Sequence, residues 1–260
     1  MNYLISVEYD GSNYHGWQIQ RCLSGIEKTT VSGKLTEAIC KITGIQPVLY
    51  ASGRTDAGVH ALNQVANFHI PYTYDLSRFK IAINGVLPPD ISVKYIEFVH
   101  DSFHATNDVI SKVYLYRINS GFKSSILRNY SWYIKDALNF ELIREASRYF
   151  IGRHNFINFA KKEKNRSADF YCRTITDVNI IEKGFGFDIM IEGRGFLRHM
   201  IRRIVGAIIS YGTGKTDGAS LANLLNGLNG DTGAFSVVMA PAQGLFLYSV
   251  KYKHKIFVDN

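Results

Sequence analysis

Cysteine is scarce in this sequence, which contains only Cys22, Cys40 and Cys172 among 260 residues. The three cysteines lie far apart and form no CxxC pair. This spacing excludes the closely spaced thiolates of a structural zinc site, and also a framework of disulfides. A reducing, cytoplasmic environment is therefore the simplest expectation.

The sequence also lacks the motifs of nucleotide, metal and membrane chemistry. It has no GxGxxG or P-loop pattern and no HExxH pair, so we expect no bound cofactor and no catalytic metal. No apolar run approaches the roughly eighteen residues that a membrane span needs. The first residues, 1–5, lack the basic start of a signal peptide and are interpreted as the beginning of a strand.

The charge of the chain is positive, with 30 Lys and Arg against 22 Asp and Glu, a net charge of +8 and a pI near 9.3. This balance favours a polyanionic partner, through long-range attraction and the release of counterions. The 16 Tyr and 16 Phe residues include rings that can stack on unpaired bases. Most of these rings must nevertheless belong to the core.

The pattern of apolar residues predicts an α+β protein. Helices are predicted after the capping residues Thr30, Asp75 and Asn139, and a further helix from Phe196 to about Tyr211. The first half then has the order strand, helix, strand, strand, helix, strand, and the second half repeats the theme. We therefore predict two similar RRM-like halves, 1–105 and 106–260, that share one mainly antiparallel sheet, with a basic cleft between them.

One loop contains an isolated carboxylate between two glycines. It is Gly53–His60, and it lies between the predicted strands Pro47–Ala51 and Val65–Ile70. Its carboxylate, Asp56, follows Arg54 by two residues. A catalytic carboxylate needs a fixed loop and a nearby cation that keeps it ionised. The alternative is that Asp56 only caps the backbone of a glycine-rich turn.

Gly53–His60 resembles the signature of the TruA-type tRNA pseudouridine synthases, and further segments resemble the same family in the same order. These segments are Glu8–Gln18, Asn84–Ile91, Phe103–Ala105, Lys112–Tyr116, Phe196–Gly206 and Gly244–Leu247. The resemblance extends from Tyr3 to about Tyr252, which is nearly the whole chain.

The resemblance implies an isomerase with the pseudouridine synthase fold that acts on tRNA. Its substrates would be uridines 38, 39 and 40 of the anticodon stem-loop, and no cofactor would be needed, because the reaction involves neither redox change nor net hydrolysis. The resemblance also implies a homodimer whose two basic clefts bind tRNA.

The resemblance also implies a role for each matched residue. Asp56 would be the nucleophile, and Arg202, on the predicted helix, would pair with its carboxylate. Tyr114 would stack on the target base, although a half-buried tyrosine of the sheet is the alternative. Arg54 would displace that base from its stem or hold a phosphate. Leu245 would line the uracil pocket or simply belong to the core.

Two features leave questions open. The family usually has Arg after Phe103–Ala105, whereas this chain has Thr106, so an RNA contact is either missing or supplied by Lys112. The polar segment Lys161–Ser167 is interpreted as a solvated loop tip or as an RNA contact.

Three other functions compete with this reading. A silent tRNA-binding or chaperone protein would keep the basic surface and lose the nucleophile, so the intact Asp56, Tyr114 and Arg202 speak against it. A glycosidase would need a second carboxylate facing Asp56, and none is near it in the sequence. A related synthase acting on other tRNA uridines would contain the same residues.

Overall fold

A computed structural model of the chain describes residues 1–19, 28–227 and 237–253. Cys22 lies outside these residues. The chain divides into two compact units, Met1–Lys112 with Phe246–Asn260, and Val113–Leu245. This division differs from the predicted one near residue 105, which assigned the whole last strand to the second half. From Phe246 onward this strand belongs to the first unit, and it pairs there with the strand that follows the Asp56 loop.

The helices and strands of the described residues follow the predicted α+β pattern. The strands are β1 (Asn2–Tyr9), β2 (Tyr50–Ala51), β3 (His60–His69), β4 (Ile91–Val99), β5 (Val109–Asn119), β6 (Trp132–Tyr133), β7 (Gly152–Asn155), β8 (Cys172–Lys183), β9 (Gly186–Gly193) and β10 (Leu245–Tyr252). The α-helices are α1 (Val31–Thr43), α2 (Leu76–Val86), α3 (Phe140–Tyr149), α4 (Met200–Gly212) and α5 (Gly218–Leu225). None of the helices described is long and apolar enough to cross a membrane.

The sheet of the first unit is built around β1, which pairs antiparallel with β3 on one side and with β4 on the other. Ile5 is opposite Ala66 and Ile96 in this register, and all three side chains are buried. β10 pairs parallel with β3, and the short β2 adds to β3 antiparallel. Helices α1 and α2 pack against each other, and α2 packs against β4. The antiparallel arrangement predicted for this half is confirmed.

The second unit has the strand order β5, β9, β8, β7, and β6 pairs parallel with β5. Strands β8 and β9 form a long antiparallel hairpin, and β7 pairs antiparallel with β8. Helix α4 packs against α3 and is buried over most of its length. Strand β7 was not predicted, because its four residues carry no alternating apolar pattern.

Three helices begin where the sequence predicts a cap. The Thr30 side chain accepts a hydrogen bond from the Gly33 amide, and that of Asp75 accepts one from the Arg78 amide. The Asn139 side chain accepts hydrogen bonds from the next helical amides in the same way. Each cap satisfies amides that have no partner within the helix, so a local sequence signal is enough to set these boundaries.

Several element boundaries differ from the prediction. Strand β3 begins at His60 rather than at Val65. Helix α4 begins at Met200 rather than at Phe196, because His199 has a left-handed backbone with a φ of +66°. Arg198 therefore precedes the helix and does not share a helical face with Arg202. The predicted strand Pro47–Ala51 is reduced to Tyr50–Ala51, and Val48 is 64% exposed.

Candidate active site

Asp56 lies in the loop that connects β2 to β3. Its side chain is half-buried, while those of its neighbours Arg54 and Ala57 are exposed. Its carbonyl accepts a hydrogen bond from the Val59 amide at 3.2 Å. The turn passes through Gly58 with a φ of +76°, a conformation that a side chain would strain. Asp56 is thus part of a tight turn and is partly exposed.

Two glycines that follow β1 bring the backbone directly against this loop. A Cβ atom added to Gly11 would lie 2.1 Å from the Val59 carbonyl oxygen, and one added to Gly16 would lie 2.5 Å from that of Thr55. Neither position can accept a side chain unless the loop moves. The Trp17 amide also donates to the Thr55 carbonyl at 3.2 Å. The segment after β1 therefore supports one side of the loop.

Buried side chains hold the loop from within. The hydroxyl groups of Tyr9 and Thr55 are hydrogen-bonded at 2.8 Å, and burial raises the pKa of Tyr9 far above its usual value. Ser52 donates from its hydroxyl to Gln64 Oε1 at 2.6 Å, and Gln64 Nε2 donates to the Gly53 carbonyl at 2.8 Å. The residues on either side of Arg54 are therefore fixed.

Thr106 and Lys112 bind two consecutive carbonyls at the start of this loop. The Thr106 hydroxyl donates to the Ala51 carbonyl at 2.6 Å, and Lys112 Nζ donates to the Ser52 carbonyl at 2.6 Å. Burial lowers the pKa of Lys112 to about 8. Thr106, which stands where the family usually has Arg, thus binds the backbone of the loop. Sequence reasoning did not identify these anchors, because no local pattern connects them to the loop.

In the second unit, Arg202 lies on the first turn of α4 and is half-buried. Its Nε donates to the Ala240 carbonyl at 2.7 Å, and the Ala240 amide donates to the Arg202 carbonyl at 3.0 Å. A Cβ atom added to Gly206, one turn later, would lie 1.8 Å from the Val238 carbonyl oxygen. The segment before β10 therefore lies directly on α4 and binds the Nε atom of the Arg202 guanidinium.

Tyr114 and Tyr116 lie on β5, and both are buried. The Tyr114 ring, 8% exposed, packs edge-on against Phe196 with ring centroids 5.3 Å apart. Tyr116 donates from its hydroxyl to the Pro241 carbonyl at 2.7 Å, and burial raises its pKa far above the usual range. Leu245, at the start of β10, is also buried. Burial of this degree is compatible both with a pocket wall and with an ordinary core.

The family profile that matches this chain is that of the tRNA pseudouridine synthases, over residues 5–106 and 146–253. The chain belongs to the tRNA pseudouridine synthase family. Such enzymes are isomerases that convert uridine in tRNA to pseudouridine. The matched residues include the Asp56 loop, α4 and Leu245, whereas Tyr114 lies between the two matched ranges.

Relatives named as tRNA pseudouridine synthases match this synthase over almost its whole length. The tRNA pseudouridine synthase A of Thermoanaerobacter pseudethanolicus is 39% identical over 252 residues, which cover 96% of this chain and 99% of that protein. The enzyme of the same name from Acetivibrio thermocellus is 37% identical with the same coverage. The tRNA pseudouridine synthase A 2 of Bacillus cereus is 34% identical over 258 residues, again covering 96% and 99%.

The predicted site residues of this synthase are divided between its two units. Asp56 and Arg54 share one loop of the first unit. Tyr114, Arg202 and Leu245 belong to the second unit. Their action on one substrate stays a prediction. Among the residues that the structure describes, no group of three His, Cys, Asp or Glu side chains is arranged to hold a metal ion.

Proposed function

We propose that this synthase isomerises uridines 38, 39 and 40 in the anticodon stem-loop of tRNA, with Asp56 as its nucleophile. The observation that supports this role most directly is the setting of Asp56. Its loop is held on both sides by buried hydrogen bonds and by glycines in close approach, while the carboxylate itself is only half-buried. A nucleophile must be both fixed and accessible, and Asp56 meets both conditions.

The chemistry requires a nucleophile and a means of retaining the detached base. The bond between C1′ and N1 of the uridine breaks, the uracil turns, and C5 forms a new bond with C1′. The proton lost from C5 is balanced by the proton gained at N1, so no oxidant, reductant or water is consumed. Asp56 forms the transient covalent bond that divides this rearrangement into easier steps.

The other predicted residues supply charge and packing in this proposal. Arg202, oriented by Ala240, is the cation that keeps the Asp56 carboxylate ionised during the reaction. Tyr114 stacks on the target uracil, and Leu245 lines its pocket. Arg54 is exposed, which suits a residue that displaces the target base from its stem or holds a phosphate.

The enzyme is proposed to act in the cytoplasm as a homodimer that binds tRNA through its basic surface. The net charge of +8 supports this binding mode, because neutralising phosphates releases counterions. Sedimentation equilibrium of the pure protein tests the dimer. A monomer at micromolar concentration that still modifies tRNA would exclude a dimeric requirement.

Pseudouridine mapping on unmodified tRNA tests the reaction, the target positions and the nucleophile together. Asp56→Asn keeps the size of the side chain and removes the nucleophile. Asp136→Asn is a matched control, because Asp136 is an exposed carboxylate paired with Lys215 at 2.5 Å. We expect conversion at positions 38, 39 and 40 by the wild type and by Asp136→Asn, and none by Asp56→Asn.

The other outcomes identify the competing functions. Conversion only at other tRNA positions would indicate a related synthase with a different target. Salt-sensitive tRNA binding without pseudouridine at any position would indicate a silent RNA-binding protein. Full activity of Asp56→Asn would exclude Asp56 as the nucleophile.

A further inference from the structure

Ser52 is the entry of the loop that carries Asp56, and its surroundings are unusually well defined. The residue is fully buried, and its amide donates to the Val65 carbonyl at 2.8 Å. Its hydroxyl donates to Gln64, and its carbonyl accepts from Lys112 Nζ at 2.6 Å. Every hydrogen-bonding group of Ser52 is thus used to fix the start of the loop.

The burial of Lys112 at this position costs free energy. Burial of an ammonium disfavours its charged form, and this lowers the pKa of Lys112 to about 8. Lys112 donates to a neutral backbone carbonyl, and no carboxylate within the described ranges forms an ion pair with it. An apolar side chain of similar length would avoid this cost. The lysine therefore needs an explanation other than stability.

Two roles can explain this lysine, and the geometry favours one of them. Lys112 either binds a phosphate of the tRNA or positions the loop. Its ammonium points to the Ser52 carbonyl, and only Gly53, Arg54 and Thr55 separate Ser52 from Asp56. A movement at Ser52 is therefore transmitted to the carboxylate through three residues.

We propose that Lys112 is a positioning residue that holds the entry of the Asp56 loop through the Ser52 carbonyl. Its loss slows the chemical step and leaves tRNA binding intact, because the Asp56 carboxylate loses its alignment with the target uridine. Displacement of a reacting group by about 1 Å can cost about 100-fold in rate. The inference rests on the proposed function, in which Asp56 is the nucleophile.

The test compares Lys112→Met with a matched lysine of the same unit. Lys112→Met keeps the length of the side chain and removes the ammonium. Lys94 Nζ also donates to a backbone carbonyl, that of Leu62 on β3, at 2.9 Å, so Lys94→Met removes a similar bond elsewhere on the sheet. It also removes an exposed ion pair with Glu8 at 3.6 Å. The rate of pseudouridine formation is measured at saturating tRNA, and the Kd for tRNA is measured over a range of salt concentrations.

We expect Lys112→Met to be slowed by about 10- to 100-fold at saturating tRNA, with a Kd within about twofold of the wild type and an unchanged salt dependence. Lys94→Met keeps the wild-type rate. Lys112→Arg restores part of the rate, because a guanidinium can still donate to the Ser52 carbonyl. If Lys112→Met does not fold, Lys112→Gln replaces it, and the same loss of rate is expected.

Two results would overturn the inference. A weaker Kd with a salt slope shallower by about one, and an unchanged rate at saturation, would make Lys112 a phosphate contact instead. An unchanged rate together with an unchanged Kd would leave the lysine without a role in catalysis. The Asp56→Asn variant distinguishes failure of the proposed nucleophile from failure of the positioning role. Activity in that variant rejects Asp56 as the nucleophile. An inactive Asp56→Asn beside a fully active Lys112→Met rejects only the positioning role.

Discussion

Substitution of Gly16 by Ala tests whether the backbone contact behind the Asp56 loop controls catalysis. Gly16 has a φ of +89°, and an added Cβ atom would lie 2.5 Å from the Thr55 carbonyl oxygen. Non-bonded Cβ atoms are essentially never found closer than 3.0 Å, so the two segments must separate by about half an ångström. Thr55 precedes Asp56 directly, and the displacement therefore reaches the carboxylate.

The expected cost has two parts. Forcing Ala into the left-handed region costs about 1–2 kcal/mol, and overpacking against a fixed backbone costs about 1–3 kcal/mol. We therefore expect Gly16→Ala to lower the free energy of unfolding by about 2–5 kcal/mol. Because small misplacements of a reacting group are costly, we also expect the rate at saturating tRNA to fall by about tenfold or more.

Gly44→Ala separates conformational strain from the clash. Gly44 also has a left-handed backbone, with a φ of +74°, but nothing lies within 4 Å of an added Cβ atom. This variant should lose only about 1–2 kcal/mol and should keep its rate. Urea denaturation gives the stabilities, and single-turnover pseudouridine formation gives the rates. If Gly16→Ala is as stable and as active as Gly44→Ala, the contact does not hold the loop.

Three further predictions concern other contacts. Because burial lowers the pKa of Lys112 to about 8, the folded protein releases this proton before the unfolded chain does near 10.5. The difference in unfolding free energy between the wild type and Lys112→Met should therefore rise from pH 8 to pH 10.5, by at most about 3 kcal/mol and by less after solvent screening. Urea denaturation at several pH values across this range measures the difference. A difference that does not change with pH would contradict the burial effect. Tyr116→Phe should lose about 1–2 kcal/mol in the same assay, because the Pro241 carbonyl loses its donor; an unchanged stability would show that water replaces the hydroxyl. Arg202→Lys should lower the rate by about tenfold or more at unchanged tRNA affinity, because an ammonium cannot reproduce the planar guanidinium bound to Ala240; a normal rate would show that charge alone is sufficient.

The sequence predicted the helices best where a local interaction sets their ends. Thr30, Asp75 and Asn139 each cap a helix through amides no more than three residues away. Such bonds form between neighbours in the chain, so they can be identified without the tertiary structure. The antiparallel strands around β1 were also predicted, because residues 5–9 alternate between apolar and polar types with a period of two residues. The structure buries every position of β1 except Glu8.

The prediction was wrong where a longer contact overrides the local pattern. Apolar residues at helical spacing continue from Leu197 into α4, yet the helix begins only at Met200. The Arg198 carbonyl instead accepts a hydrogen bond from the Lys161 amide at 3.0 Å, a residue that is distant in the chain. The parallel pairing of β10 with β3 is also a contact between residues that are distant in the chain, because it joins the last strand to the first unit.

The sequence by itself determined the class of elements, the basic charge and the glycine-rich loop that contains Asp56. These depend on residue type and on short spacing. Only the tertiary structure decided which residues hold that loop. Gln64 and Lys112 bind Ser52, and Tyr9 binds Thr55. The physical reason is that hydrogen bonds between distant residues depend on strand register and on the path of the chain, and a local pattern specifies neither of these.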